Sequence, residues 1–233
     1  MTKDDWHDRR FASDWDEAGN LLTNPDRLNQ LSLLADLLAA SSATHVLDVG
    51  VGSAHVEAVV NRHHPRFFER CRVTGIDASN AMLELARQRC RSDKLTRVEL
   101  IRGDFHSIAE IELSEPIDAV ICVQALHEVG HDVKRSVFSW VREQLPAARP
   151  FFILDRFDYP AGVWLDDWRA TWNWMRSNVS AEVLEFDDYH RRYSAKADHI
   201  ATVEDYRRWL GEAGFETTCP YRCFNRALIV ARA

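Results

Sequence analysis

The sequence predicts an α/β protein whose sheet has seven strands and is mostly parallel. From about residue 44, short apolar runs alternate with helix-like segments, which is the pattern of β/α units on a parallel sheet. A chain of 233 residues accommodates one domain with an embellishment. Its hydrophobic (46%) and charged (28%) fractions are ordinary for a globular protein and exclude collagen, coiled coil and wholesale disorder.

Five β/α units can be assigned from the apolar runs. Each run is rich in β-branched or aromatic residues, so we expect its strand to be buried on both faces. The predicted strands are 45–49, 72–76, 97–101, 117–123 and 151–154. Before the first strand, leucines at roughly helical spacing between Pro25 and Ala40 predict an amphipathic helix that covers one face of the sheet.

After the fifth strand the alternation stops for some forty residues, which predicts an inserted helical subdomain. It resumes with a helix from Val203 to Glu212, capped by Thr202 and ended by Gly214. Two strands, 215–218 and 223–231, follow as an antiparallel pair separated by a link that contains Pro220. The single domain therefore divides into a lid and helix (1–43), a binding core (44–158), the insertion (159–201) and a closing helix with a β pair (202–233).

Charge and cysteine content exclude several partners. Lysine and arginine total 29 against 36 acidic residues, and the net charge of −7 disfavours nucleic acid and anionic lipid. The five cysteines are scattered without a C-x-x-C pair, which favours reduced thiols in the cytoplasm over disulfides or a metal site. The charged start predicts neither a secretory signal nor an anchor, and the apolar runs are too short to span a membrane.

The first strand ends in a glycine motif. Asp48 precedes Gly50 and Gly52, and a Gly-x-Gly turn lets a ligand approach the backbone. A dinucleotide fingerprint would have a third glycine at position 55, where this chain has His55, so the motif argues against NAD.

Polar residues also follow the next three strands. Asp77 ends the second strand and is followed by Ala78. An ionised carboxylate there can accept hydrogen bonds from both hydroxyls of a ribose. Asp104 and Phe105 follow the third strand, and Gln124 follows the fourth. Each motif alone could be an ordinary turn or a helix cap, but in an open α/β sheet ligands bind at this edge.

Together these motifs resemble those of the class I S-adenosylmethionine (SAM) dependent methyltransferases, closely over residues 44–156. The resemblance implies a Rossmann-like seven-stranded methyltransferase sheet, SAM as cofactor and S-adenosylhomocysteine (SAH) as product. It implies that Asp104 meets the adenine amino group and that Phe105 packs on the ring. Ala54 stands where the family usually has a third glycine. The implied cofactor-binding residues are Asp48, Gly50, Gly52, Asp77, Ala78, Asp104, Phe105 and Gln124.

The N-terminal segment looks like the lid that folds over the cofactor in many small-molecule methyltransferases. Phe11 and Trp15 are the candidate lid aromatics, because an aromatic face favours a nearby sulfonium cation. Their alternative role is to anchor the terminus.

His127 is the candidate catalytic base. It directly follows the fourth strand, and a histidine whose pKa lies near the operating pH is suited to removing a proton from an acceptor. It could instead pack against the cofactor or cap a helix. Glu128 and His131 are weaker candidates.

The insertion is rich in tryptophan. Trp164, Trp168 and Trp172 recur every four residues, so on one helix they form a stripe that could line an acceptor pocket. Tyr189 is a further candidate substrate contact. Alternatively, the stripe anchors its helix to the core or to a second subunit, which allows a homodimer.

The leading prediction is transfer of a methyl group to O or N of a small molecule, with no metal. Two alternatives remain open. One is an enzyme like the carboxy-SAM synthase of tRNA modification, which the tail 221–231 weakly resembles. The other is a SAM-binding regulator without turnover. Nucleic-acid methylation is disfavoured, because the basic residues form no cluster beyond pairs such as Arg191-Arg192.

Overall fold

The computed structural model describes residues 6–16, 20–159, 162–194 and 199–233. Within them lies one sheet of seven strands, most of which form from apolar runs of the sequence. The strands are β1 (His45–Val49), β2 (Arg72–Asp77), β3 (Val98–Arg102), β4 (Ala119–Val123), β5 (Pro150–Arg156), β6 (Glu216–Cys223) and β7 (Arg226–Arg232). The predicted seven-stranded α/β fold is confirmed.

The strand order is β3-β2-β1-β4-β5-β7-β6. Strands β1 to β5 pair in parallel, and β7 is antiparallel to both β5 and β6. The chain adds β2 and β3 on one side of β1 and then crosses to the other side of β1 to add β4, so the strand order switches direction between β1 and β4. In open α/β sheets such a switch point opens a crevice at the carboxyl ends of the strands, where ligands bind.

Helices cover both faces of the sheet. They are α1 (Arg9–Asp14), α2 (Asn20–Leu22), α3 (Arg27–Ala40), α4 (His55–His63), α5 (Phe67–Arg70), α6 (Asn80–Ser92), α7 (His131–Gln144), α8 (Leu165–Ser177), α9 (Phe186–Ser194) and α10 (Val203–Glu212). Apolar side chains of α7 and α10 form one core with the sheet, and those of α3, α4 and α5 form the other. None of the helices among these residues is long and apolar enough to cross a bilayer.

The closing helix α10 forms as its sequence predicts. The Thr202 hydroxyl accepts a hydrogen bond from the Asp205 amide at 3.0 Å, and the Asp205 carboxylate accepts one from the Thr202 amide at 3.2 Å. This reciprocal cap satisfies two N–H groups at the start of the helix. Gly214, at φ +90°, ends the helical segment in a conformation that glycine adopts without strain.

Two details of the strands differ from the sequence prediction. Strand β3 is not buried on both faces, because it lies at an edge of the sheet and its residues are half-buried or exposed. Pro220 lies within β6 and not in the link that follows it. An edge strand tolerates a residue without an N–H at an irregularity, and the β6/β7 register shifts between Thr218 and Tyr221.

The insertion after β5 contains α8 and α9, which enclose a small core of their own. The predicted stripe of three tryptophans on one helix is wrong for Trp164. This residue ends a short 3₁₀ turn before α8 and is 54% exposed. Trp168 and Trp172 lie on α8, where Trp172 is buried and Trp168 packs against the same core.

Candidate active site

A large cavity opens at the carboxyl ends of β1 to β4. Its volume is about 790 Å³, which lies within the roughly 300–1,000 Å³ usual for small-molecule sites. Its walls come from the loops after these strands, from the N-terminal segment, and from residues of β5, α9 and β7. Residues distant in sequence therefore face one space.

The glycine loop after β1 forms one wall. Gly50 has φ +89°, and a Cβ there would lie 2.5 Å from the Cβ of Ala125. Gly52 has φ +56° and also lines the cavity. Ala54, in place of the usual third glycine, adopts the same left-handed region at φ 58° with its methyl group buried. Glycine is required at position 50 by both backbone and space.

Asp77 connects two of the loops around the cavity. One carboxylate oxygen accepts a hydrogen bond from the Gly52 amide at 2.9 Å, and the other accepts one from the Ser79 amide at 2.8 Å. Burial raises the pKa of Asp77, although these two hydrogen bonds favour the charged form. Asp77 and its neighbour Ala78 both line the cavity.

Asp104 and Phe105 extend the same wall beyond β3. The Asp104 carboxylate accepts hydrogen bonds from the His106 amide at 2.8 Å and from the His106 ring at 2.9 Å. These bonds lower the pKa of Asp104, so it is ionised at neutral pH. Both residues face the cavity.

Gln124 lines the cavity at the end of β4 with a left-handed backbone at φ 51°. The backbone N–H of Gln124 donates a hydrogen bond to the Leu154 carbonyl at 2.7 Å. Its side-chain Nε2 is buried, and no described residue accepts a hydrogen bond from it. A buried amide without a partner is costly, which marks this group as a donor for a ligand.

Asp48 does not line the cavity. It is 1% exposed and lies beneath the glycine loop, where its carboxyl group meets that of Glu57 on α4. Burial raises the pKa of Asp48 well above its usual range, and the Glu57 charge raises it further. Burial also raises the pKa of Glu57. Burial therefore favours the protonated form of both carboxyl groups, which lie beneath the loop.

His127 reaches the cavity from the turn after β4. Its Nδ1 lies 2.6 Å from Oδ1 of Asp155, which is 1% exposed. Asp155 also accepts hydrogen bonds from the Tyr206 hydroxyl at 3.0 Å and the Arg156 amide at 2.8 Å. Burial raises the pKa of Asp155, but the nearby His127 and these hydrogen bonds outweigh that effect and leave it below its ordinary value.

This pairing sets the role of each nitrogen of His127. The Asp155 carboxylate can only accept a hydrogen bond, so Nδ1 of His127 carries a hydrogen and donates this hydrogen bond. Nε2 is then the atom that can take up or release a proton, and it lies 3.2 Å from Oε1 of Glu128. Both His127 and Glu128 line the cavity.

The N-terminal segment closes the opposite side. Phe11 and Trp15 line the cavity, and each meets the Trp6 ring edge-on, with centroids 5.1 and 5.2 Å apart. Ionic contacts tie this segment to the core, because Asp16 pairs with Arg89 of α6 at 2.7 Å. The two lid candidates therefore lie where an aromatic cover over a ligand would stand.

Residues 46–146 match the family model described as a methyltransferase domain. This segment is therefore similar to methyltransferase domains. No curated protein matches the chain. Three similar solved structures share the fold.

An O-methyltransferase family protein from Burkholderia thailandensis is 15% identical over 97% of this chain and 60% of its own, with a TM-score of 0.68. A putative O-methyltransferase from Nostoc punctiforme is 17% identical over 96% of this chain and 60% of its own, with a TM-score of 0.66. Magnesium protoporphyrin IX methyltransferase from Synechocystis is 15% identical over 88% of this chain and 83% of its own, with a TM-score of 0.60. The chain thus spans about 60% of the length of the first two.

Not all candidates from the sequence reach the cavity. Trp164, Trp168, Trp172 and Tyr189 are not among the residues that line it. Trp172 instead donates a hydrogen bond from its ring nitrogen to the Leu184 carbonyl at 2.9 Å and lies 4.1 Å from the Tyr189 ring, centroid to centroid. The buried members of this group hold the insertion together.

Several arginines that line the cavity were not among the sequence candidates. They are Arg27, Arg156, Arg192 and Arg226. Only Arg156 carried a usable signal, since it directly follows the apolar run of the fifth strand and carboxyl ends of parallel strands meet at one edge. The others come from a helix start, a helix end and the antiparallel strand, and only the fold brings them there.

Proposed function

We propose that this chain is a SAM-dependent methyltransferase that transfers a methyl group to an oxygen or nitrogen atom of a small molecule and releases SAH. One observation carries the proposal: side chains from the ends of β2, β3 and β4 share a single cavity with His127 and the glycine loop. The resemblance implies cofactor binding by the glycine loop and by these strand-end side chains. The position of His127 beside them supports a role in proton transfer.

The cavity fits the cofactor. The loop leaves no space for a Cβ at Gly50, and Gln124 offers a buried donor that no described residue occupies. Asp77 would hold the ribose, and Asp104 with Phe105 would hold the adenine. The solved structures similar to this chain include PigF with SAH and the Synechocystis enzyme with bound SAH. When bound, SAM supplies a methyl group on a sulfonium cation.

The His127–Asp155 pair supplies the proton chemistry. A hydroxyl or protonated amine must lose a proton when it is methylated. Nε2 of His127 would accept that proton, and Asp155 would stabilise the resulting imidazolium through Nδ1. In-line displacement needs mainly alignment of the reacting groups, so holding the acceptor beside His127 is the larger part of the task.

Phe11 and Trp15 would exclude water from the reacting groups. Their rings line the cavity and are braced by Trp6. A π face is favourable for a cation, so the same rings would favour a sulfonium over its neutral product. Asp48 would act indirectly, by supporting the glycine loop together with Glu57.

Ligand analysis and turnover test the proposal. Mass spectrometry of the ligand that co-purifies with the full chain separates SAM or SAH from a carboxylated derivative. Calorimetry should then show SAH binding, and SAM labelled in its methyl group should deliver label to members of a panel of small phenols, alcohols and amines. Binding without label transfer to any acceptor would favour the regulator. Transfer to RNA or DNA at low salt would contradict a small acceptor.

A further inference from the structure

The wall of the cavity beside His127 is strongly basic. Arg156 ends β5, Arg226 begins β7, and Arg192 lies near the end of α9; we call these three residues the arginine cluster. All three line the cavity. Arg156 directly follows Asp155, so the cluster begins one residue from the partner of the candidate base.

Two members of the cluster are forced together by the sheet. Arg156 and Arg226 are directly paired in the antiparallel register of β5 and β7, and they are 2% and 6% exposed. Like charges on directly opposed residues destabilise a sheet, and burial removes the water that would screen them. Burial lowers the pKa of Arg156, and the Arg226 charge lowers it further.

The partners of Arg226 are neutral. Nη1 donates a hydrogen bond to the side-chain oxygen of Asn225 at 2.8 Å, with longer contacts to the Asn225 carbonyl and the Tyr189 hydroxyl. Nη2 donates to the Thr23 carbonyl at 3.5 Å. Its Nε is buried and bonds to no described residue. The charge is thus held in position without a counter-ion in the described part of the chain.

Arg192 also has no counter-ion among the described residues. Its Nε is buried without a hydrogen-bond acceptor among the described residues, which also provide it with no ion pair. Its guanidinium lies 5.9 Å from the centroid of the Tyr193 ring, and that of Arg156 lies 4.1 Å from the same ring. Tyr193 therefore orients two members of the cluster.

Four of the described acidic residues line the cavity, and two of them, Asp77 and Asp104, follow β2 and β3 on the far side of the sheet from β5 and β7. Glu128 lines the cavity beside His127, and Asp14 lines it from the lid. Glu128 contacts Nε2 of His127, and its charge raises the pKa of Arg156. Arg226 and Arg192 form no ion pair with either residue. A buried donor without an acceptor is costly, and a buried charge more so, which indicates that a ligand completes the site.

We propose that the methyl acceptor carries an oxyanion group, a carboxylate or a phosphate, which Arg192 and Arg226 bind and thereby place the acceptor beside His127. This inference rests on the proposed function and narrows its substrate class. A guanidinium matches either oxyanion through two parallel hydrogen bonds, and it stays charged when buried more readily than an ammonium does.

Arg27 also lines the cavity, but it is kept apart from the cluster because its charge acts on both Arg226 and the glycine-loop side. It lies at the start of α3 and is 3% exposed. Burial lowers the pKa of His55, which begins α4 directly after the glycine loop, and the Arg27 charge lowers it further. Burial lowers the pKa of Arg27, and the Arg226 charge lowers it further, so Arg27 can serve either the oxyanion of the acceptor or the carboxylate of the cofactor. The experiment must separate the two anions.

Calorimetry on the full chain saturated with SAH provides that separation. The probes are 4-hydroxybenzoate, 4-hydroxyphenyl phosphate and the neutral methyl ester of 4-hydroxybenzoate. We expect at least one anionic probe to bind about tenfold or more tightly than the ester, and the tighter of the two identifies the oxyanion. An ester that binds as tightly as both anions overturns the proposal.

Variants assign the effect to the cluster. Arg192→Gln and Arg226→Gln should each weaken the anionic probe by about tenfold and leave the SAH Kd within about twofold. Arg191→Gln is the matched control, because Arg191 is an exposed neighbour paired with Asp188 at 2.8 Å, and it should change neither value. Arg226→Lys, which keeps the charge, should bind the probe better than Arg226→Gln and guards against a folding defect, monitored by thermal melting.

The outcomes distinguish this inference from the proposed function. Unchanged binding of the anionic probes in both Arg192→Gln and Arg226→Gln overturns the role of the cluster. An equal loss of SAH affinity would assign the cluster to the cofactor and also overturn it. Wild-type protein that binds SAH but neither anionic probe overturns this inference alone, whereas protein that binds no SAH overturns the proposed function as well.

Discussion

Nδ1 of His127 lies 2.6 Å from Oδ1 of Asp155, and both residues are buried at the ends of neighbouring strands β4 and β5. The two are 28 positions apart in the sequence. The adjacent parallel strands place them together, and the Tyr206 hydroxyl from α10 fixes the second carboxylate oxygen. The histidine is thereby oriented before any ligand arrives.

Removing either partner of this pair should slow methyl transfer. We expect His127→Ala to lower kcat by about 10²–10⁴, the range for loss of a general base, and Asp155→Asn to lower it by about 10² through the wrong tautomer. SAH affinity, measured by calorimetry, should stay within about twofold. His131→Ala is the control, since His131 is exposed and packs on Trp209. Unchanged kcat in His127→Ala would remove this residue from the mechanism.

Asp77 should control cofactor affinity. It accepts hydrogen bonds from Gly52 and Ser79 with different oxygens, and an amide would place an NH₂ group against one of these donors. We therefore expect Asp77→Asn to raise the SAH Kd by about tenfold or more. The exposed Asp93→Asn serves as the control in the same titration. An affinity equal to wild type would contradict the ribose assignment and the role of Asp77 in ordering the loop.

The buried pair of Asp48 and Glu57 should make stability depend on pH. Both carboxyl groups have a raised pKa in the folded chain, so the folded state binds more protons than the unfolded state at neutral pH. Stability should therefore fall as pH rises above about 4, the usual carboxyl pKa, through the raised values.

A neutral replacement should remove part of this dependence. Glu57→Gln should be more stable than wild type at pH 8 by about 1 kcal/mol, with a smaller difference at pH 5, as measured by urea denaturation. Glu84→Gln on the exposed side of α6 is the control and should shift stability little at either pH. A variant less stable than wild type at pH 8 would show that the pair is not held protonated.

The insertion should depend on Trp172 and not on Trp174. Trp172 is 1% exposed and packs with Tyr189 and Phe224, whereas Trp174 is 62% exposed. We expect Trp172→Ala to lower the free energy of unfolding by about 3–5 kcal/mol and Trp174→Ala to change it by at most about 0.5 kcal/mol. Chemical denaturation measures both. Equal effects would argue that Trp174 is covered in solution, as in the homodimer that the sequence allows.

Much of the fold could be predicted because its signals are local. The apolar run at His45–Val49 and the cap at Thr202 act over a few residues, and the structure has both as predicted. The edge position of β3 could not be read from its own residues, because exposure of a strand depends on which strands pair with it. Pro220 likewise fits within β6 only because β6 lies at an edge.

The sequence by itself determined the parallel sheet, its order of elements and the polar residues at four strand ends, since hydrophobic periodicity and glycine turns are encoded locally. Only the tertiary structure decided what shares the cavity. It places Asp48 beneath the glycine loop and buries Trp172 in the small core of the insertion. It also brings Asp155 within hydrogen-bond distance of His127. It also brought Arg192 and Arg226 to one wall. The physical reason is that side chains from distant segments meet only after the sheet and its helices have packed.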